Sequence, residues 1–184
     1  MATKSVPVLT LNGARTAIAA AEQRAKEIKV PMSKLDFFSS FEELLNQLVI
    51  FPFVRSIPTW TIQSKILHYI AVVDSACHLL AFERMEGAKI TSINIAIDKA
   101  FTAAGHRAPT SIYKEMVWPG GPAFGIWNSN NNRFTTIAGG IPILQDGVVV
   151  GAIGCSTGMP SEDEEVAKSG VAAIEKTLAP KAKL

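Results

Sequence analysis

The strongest constraint on this chain is a break in its own composition. Between Lys34 and Tyr69 there is no glycine and no alanine, and all 13 glycines fall elsewhere. The same stretch holds Phe37, Phe38, Phe41, Phe51, Phe53, Trp60 and Tyr69, half of the chain's aromatic side chains. The flanking parts are rich in Ala, Gly and Val, the residues of closely packed helices and strands. The chain therefore reads as one domain over 1–184, built from 9–33 and 70–178, with 34–69 inserted. Within the insertion, Phe41, Leu44, Leu45 and Leu48 have helical spacing. The apolar run Leu48–Val54 is interrupted by Pro52 and is too short to span a bilayer. As a lid or an oligomer contact, the insertion would put its aromatics to use. As a retained intron, it would owe its residue usage to AT-rich codons.

Outside the insertion, hydrophobic periodicity gives an α+β fold: helices on an antiparallel sheet of about five strands. Leu11, Ala14, Ile18, Ala21, Ala25 and Ile28 form one stripe of a first helix, with Thr10 as its N-cap and Pro31 as its stop. Ala71–Asp74 and Leu79–Arg84 read as a hairpin. Ile90, Ile93, Ile97, Ala100, Phe101 and Ala104 mark a second helix, and Thr110–Val117 a short third one. Phe134–Ile137, Ile141–Leu144 and Val148–Cys155 read as strands, the last two joined by an Asp146-Gly147 turn. Ser161 and Glu164 fit a capping box for the final helix, which ends near Leu178.

Charge excludes some functions. Eighteen basic against sixteen acidic residues leave +2, too weak a field to argue for nucleic acid or an anionic membrane as partner. Cys77 and Cys155 make neither a disulfide framework nor a metal cluster, and a reducing, cytoplasmic setting is the expectation. No metal site is expected, because neither His78 nor His106 has a second ligand at suitable spacing, and His68 lies inside the insertion.

Several residues carry possible chemistry. Lys99 either pairs with a ligand carboxylate or belongs to a solvated helix face with Asp98. Arg84 either does the same work or caps the hairpin. Gly139-Gly140 either admits a ligand close to the backbone or forms a bulge. The run Gly151–Gly158 leads from a strand into a helix and reads as an anion-binding start or as a tight turn. Cys155 reads as inert packing. No nucleophile–base constellation can be defended from spacing, so catalytic residues are unknown. Asp74 and Asp163 are the nominated acid–base groups if the protein is an enzyme.

Ala71-Val-Val-Asp74, Leu79-Leu-Ala-Phe-Glu-Arg-Met-Glu-Gly-Ala88, Lys99-Ala-Phe-Thr-Ala103, Pro109-Thr110, Gly139-Gly-Ile-Pro142 and Asp146-Gly-Val-Val-Val-Gly-Ala-Ile-Gly154 occur in order. Together they resemble the GlcG/HbpS-like family, which includes the C-terminal domain of PduO proteins. The resemblance implies a profilin-like layout, assembly into homo-oligomers, and a pocket for a small molecule. Haem is the possible cofactor it implies, with links to haem degradation or corrinoid metabolism. The pocket residues it implies are Lys99, Thr102, Gly139 and Gly140; Arg84 joins them as a ligand-binding residue that would pair with an anionic group, and His78 or a pocket hydroxyl is the candidate haem-iron ligand. An enzyme acting on a small organic acid and a non-catalytic assembly partner are the alternatives. The family's Asp-x-Gly-Gly turn is here Asp74-Ser-Ala-Cys-His78, and its Ser-Gly-Gly is Ser156-Thr157-Gly158. The lost glycines imply changed backbone angles or a filled cleft.

Overall fold

The computed structural model describes residues 6–28 and 68–178. These belong to one compact unit, spanning 1–28 and 66–184. The expected helix around Phe41–Leu48, the apolar run 48–54 and the stop at Pro31 lie outside the described residues.

The elements are α1 (Leu11–Glu27), β1 (Tyr69–Asp74), β2 (Leu79–Arg84), α2 (Ser92–His106), β3 (Gly140–Gln145), β4 (Val148–Ser156) and α3 (Pro160–Leu178). Four strands form an antiparallel sheet in the order β2-β1-β4-β3. Among the described residues three α-helices pack on it, so the expected α+β class holds. Ile70 and Val72 of β1 face α1 and α3, while Tyr69, Ala71 and Val73 face α2. Both faces of the central strands are covered, which is why β1 and β4 read as near-continuous apolar runs.

Small residues set how closely the layers approach. A Cβ on Gly154 would lie 2.2 Å from the Ala96 carbonyl oxygen and 2.5 Å from the Ala100 nitrogen. That contact, with the buried Ala96, Ala100 and Ala103, brings α2 almost onto the backbone of β4. On the other face Ala14, Ala17, Ala21 and Ala25 are buried where α1 meets α3. Arg24 of α1 adds a hydrogen-bonded ion pair to Glu165 of α3.

Local signals behave as their chemistry requires. Thr10 Oγ1 accepts from the Gly13 amide at 3.2 Å and caps α1. Asp146 and Gly147 take φ 50° and 76°, matching the hairpin turn. The cap of α3 differs from expectation. The helix starts at Pro160, and Glu162 reaches back to accept from the Met159 amide at 2.7 Å. Pro160 at the first helical position draws the start towards it, because it has no amide to satisfy there.

Two further expectations change. Phe134–Ile137 is not a fifth strand. The Thr135 amide donates to Thr102 Oγ1 at 3.0 Å and the Ile137 carbonyl accepts from Thr110 Oγ1 at 2.6 Å, so side chains take the place of a ladder there. Thr110–Val117 forms two 3-10 turns, Thr110–Ile112 and Lys114–Val117, rather than one α-helix. Tyr69, which composition groups with the 34–69 stretch, opens β1, and His68 before it is fully buried.

Candidate functional site

Lys99 lies on α2 between Ala96 and Ala103, three residues before and four residues after it, so it shares their sheet-facing side. It is 1% exposed. Its neighbour Asp98 takes the solvent side and accepts from Arg133 Nε at 3.0 Å, and the Arg133 guanidinium lies 3.9 Å from the Phe101 ring centroid. The solvated face therefore belongs to Asp98 and not to Lys99.

The Lys99 ammonium donates to Asp163 Oδ2 at 2.7 Å and to the Cys155 carbonyl at 2.9 Å. Asp163 sits in the first turn of α3, where the helix end favours a negative charge, and it is itself buried. Its other oxygen accepts from the Gly158 amide at 3.0 Å and lies 3.3 Å from Nε2 of His68. The result is a charge-balanced pair at the junction of α2, α3, the end of β4 and the residue before β1. Two charges out of water are tolerated here because each is bonded to the other and to a backbone group.

Gly139 and Gly140 belong to the same cluster for a steric reason. Gly139 has φ 121°, and a Cβ on it would lie 2.8 Å from Lys99 Nζ and 2.8 Å from Asp163 Cβ. A Cβ on Gly140 would lie 2.4 Å from the Lys99 carbonyl oxygen. Their polar groups are engaged internally. The Gly140 amide donates to Thr110 Oγ1 at 3.0 Å, and the Gly139 carbonyl accepts from the Cys155 amide at 2.9 Å. Thr102, one turn beyond Lys99, donates to the Arg133 carbonyl at 3.4 Å while it holds Thr135.

Lys99, Gly139, Gly140 and Asp163 are thus brought together, with Thr102 beside them. Arg84 is separate: it ends the edge strand β2 opposite Tyr69, exposed and with no ion-pair partner among the described residues. His78 is also separate. Its side chain is 79% exposed in the β1–β2 turn, and its Nδ1 lies 3.4 Å from Asp74 Oδ2. Asp74 Oδ1 accepts from the Ala76 and His78 amides at 2.8 and 2.9 Å, which fixes both the turn and the carboxylate. Cys155 is packed as expected, and burial pushes its thiol well above the ordinary range. No group of three or more His, Cys, Asp or Glu side chains able to hold a metal ion occurs among the described residues.

Two positions where the family pattern has glycine take positive φ here. Cys77 takes φ 67° and Thr157 takes φ 120°, values that glycine adopts freely and a side chain adopts at a cost. Sequence reasoning gave least weight to His68, yet it borders the buried ion pair. The signal was its position immediately before a wholly apolar strand. For Lys99 the signal was its alanine neighbours at helical spacing, which mark a buried face.

The protein-family comparison matches residues 62–172 to the family described as haem degrading protein HbpS-like. GlcG of Escherichia coli K12 is 40% identical over 87 residues, covering 47% of this chain and 62% of GlcG. A 15.0 kDa protein from the dhaT–dhaS intergenic region of Citrobacter freundii is 34% identical over 101 residues, covering 55% of this chain and 71% of that protein. The corrinoid adenosyltransferase PduO of Salmonella typhimurium is 29% identical over 105 residues, which cover 57% of this chain and 31% of PduO. Among solved structures, Klebsiella pneumoniae ORFY superposes with TM-score 0.74 at 23% identity, covering 95% of this chain and 96% of ORFY. The PduOC–haem complex gives 0.66 at 22%, covering 90% of this chain and 94% of PduOC. HbpS gives 0.63 at 23%, covering 93% of each chain. Over 9–28 and 68–178 the fold is that of these proteins, and by the match across 62–172 this chain belongs to the HbpS-like family.

Proposed function

We propose that this chain binds a small ligand, that haem is that ligand, and that His78 supplies the iron-ligating imidazole. One observation carries the choice of residue: His78 is exposed, with its Nδ1 beside the Asp74 carboxylate, which leaves Nε2 to ligate. A carboxylate on the far nitrogen is the usual companion of a metal-binding histidine, because it fixes the ring and raises its basicity. The donor set therefore fits haem iron. A relative crystallised with haem supports the same ligand class. Bound haem would supply redox or oxygen chemistry of its own.

In this reading Lys99 does not meet a haem propionate, since its ammonium already serves Asp163 and Cys155. Lys99, Thr102, Gly139 and Gly140 become positioning residues that hold the β3 entrance against α2. Arg84 remains an exposed cation, but it follows His78 by six residues of strand, about 20 Å. The two are therefore tested as separate contacts. The protein works in the cytoplasm as a homo-oligomer. Exposed Ile112, Met116, Trp118, Phe124 and Trp127, all from one loop, support an interface between copies. No helix among the described residues is long and apolar enough to cross a membrane.

Haemin titration of the full chain, followed at the Soret band, tests the assignment. His78→Ala is expected to weaken binding at least about tenfold, the loss of one good interaction, whereas Arg84→Ala gives a smaller loss. Absence of a Soret shift at micromolar haemin would remove haem. Unchanged affinity in His78→Ala would remove the iron ligand.

A further inference from the structure

We propose that the outer edge of β2 pairs with β2 of a second copy, antiparallel about a two-fold axis at Phe82, so that two four-stranded sheets join into one. The proposal deepens the homo-oligomer reading and rests on no part of the haem assignment.

Among the described residues β2 and β3 are the edges of the sheet, and their backbones offer different things. Hydrogen bonding in an antiparallel ladder alternates from one residue to the next. On β3 the Gly139 carbonyl accepts from the Cys155 amide, so Ile141 and Ile143 bond to β4 while Gly140 and Pro142 turn outward. That edge is closed to another strand. The Gly140 amide already donates to Thr110 Oγ1 at 3.0 Å, and Pro142 has no N–H. On β2 the Met85 amide donates to the His68 carbonyl at 3.1 Å, so Glu83 and Ala81 bond to β1 while Phe82 and Arg84 turn their amides and carbonyls outward. No other backbone group among the described residues bonds to them. An edge with unpaired amides and no proline is a template for a further strand.

Charge selects the occupant and the register. With the axis at Phe82, Glu83 stands opposite the partner's Ala81 and Arg84 opposite the partner's Leu80, so neither charge meets its like. An axis one residue further on, at Glu83, sets two carboxylates face to face, which disfavours that register. Phe82 is half-buried, with its ring stacked on Tyr69 at 5.8 Å between centroids. The partner's Phe82 covers its free side, and each Phe82 amide donates to the other Phe82 carbonyl.

Sedimentation velocity of the full chain across a concentration series compares the wild type with Phe82→Ala and Phe82→Pro. Both variants lose the ring. Only proline also loses the outward amide, at an edge position that leaves the bonds to β1 in place. Phe82→Pro is expected to self-associate at least about tenfold more weakly than Phe82→Ala, the loss of the two symmetric hydrogen bonds. Phe82→Cys is expected to form a disulfide-linked dimer under mild oxidation, because opposed Cα atoms of a bonded pair lie about 5.5 Å apart. Glu83→Cys, about 7–8 Å from its copy on the diagonal, is expected not to. A wild type that stays monomeric throughout the series overturns the homo-oligomer reading and this interface with it. Equal self-association of Phe82→Ala and Phe82→Pro, or cross-linking no faster in Phe82→Cys than in Glu83→Cys, overturns the β2 pairing alone.

Discussion

The Lys99 ammonium and the Asp163 carboxylate, 64 residues apart in sequence, meet at 2.7 Å with both side chains almost wholly out of water. The pair joins α2 to the start of α3, and through the Cys155 carbonyl and Gly158 amide it closes the end of β4. Its effect is structural: it fixes the loop that Gly139 and Gly140 thread past it.

Breaking that pair from one side is expected to cost about 3–5 kcal/mol, because a charge is left buried without its partner. Lys99→Met and Asp163→Asn are each expected to unfold at lower urea. The double variant is expected to recover more than about 1 kcal/mol of the summed loss. Urea denaturation of the four proteins gives the coupling, and strict additivity would show that the two charges do not depend on each other.

Thr157→Gly is expected to stabilise the chain by about 1 kcal/mol. It relieves a β-branched residue at φ 120° and removes a buried hydroxyl that has no hydrogen-bond partner. Cys77→Gly at φ 67° gains less, since it gives up the contact of Sγ with the Phe101 carbonyl. Thermal melting of the two variants checks both the sign and the order.

The stability of the wild type carries a pH signature from Glu83. Burial and the Glu22 carboxylate raise its pKa above the unfolded value of 4.5. The folded chain then binds this proton more tightly than the unfolded chain. The contribution is present in full below pH 4.5 and is lost as pH rises through the raised folded value. Glu83→Gln removes the like-charge contact and is expected to be more stable at pH 7 by about 0.5 kcal/mol. Its advantage shrinks towards pH 4. Melting temperatures from pH 4 to 8 measure the difference, and a constant gap would count against the carboxylate pair.

Trp118 and Phe124 are 62% and 56% exposed, in a loop that also exposes Trp127, Met116 and Ile112. If this patch joins copies of the chain, Trp118→Ser with Phe124→Ser is expected to weaken self-association by at least about tenfold, as for two aromatic anchors. Sedimentation velocity across a concentration series measures it. An unchanged distribution would move the interface elsewhere.

Much of the fold was legible because its signals are local. Thr10 caps α1 through a bond three residues away, and Asp146-Gly147 turns the chain without reference to anything distant. The strand expected at Phe134–Ile137 failed because its backbone groups bind the Thr102 and Thr110 hydroxyls, 33 and 27 residues earlier in sequence. For Lys99, a positive charge in a sequence does not say whether its counter-ion is a ligand or a residue of the same chain.

The sequence by itself determined the class, the central apolar strands and the family, since periodicity, turn chemistry and ordered motifs are properties of short stretches. The tertiary structure alone decided that Lys99 is neutralised by Asp163, that His68 is buried beside that pair, and that Arg15, Glu22 and Glu83 line one groove between α1 and β2. Those outcomes depend on which distant groups share a dry or half-dry space. Burial and Coulomb energy act through that space, and sequence spacing does not encode it.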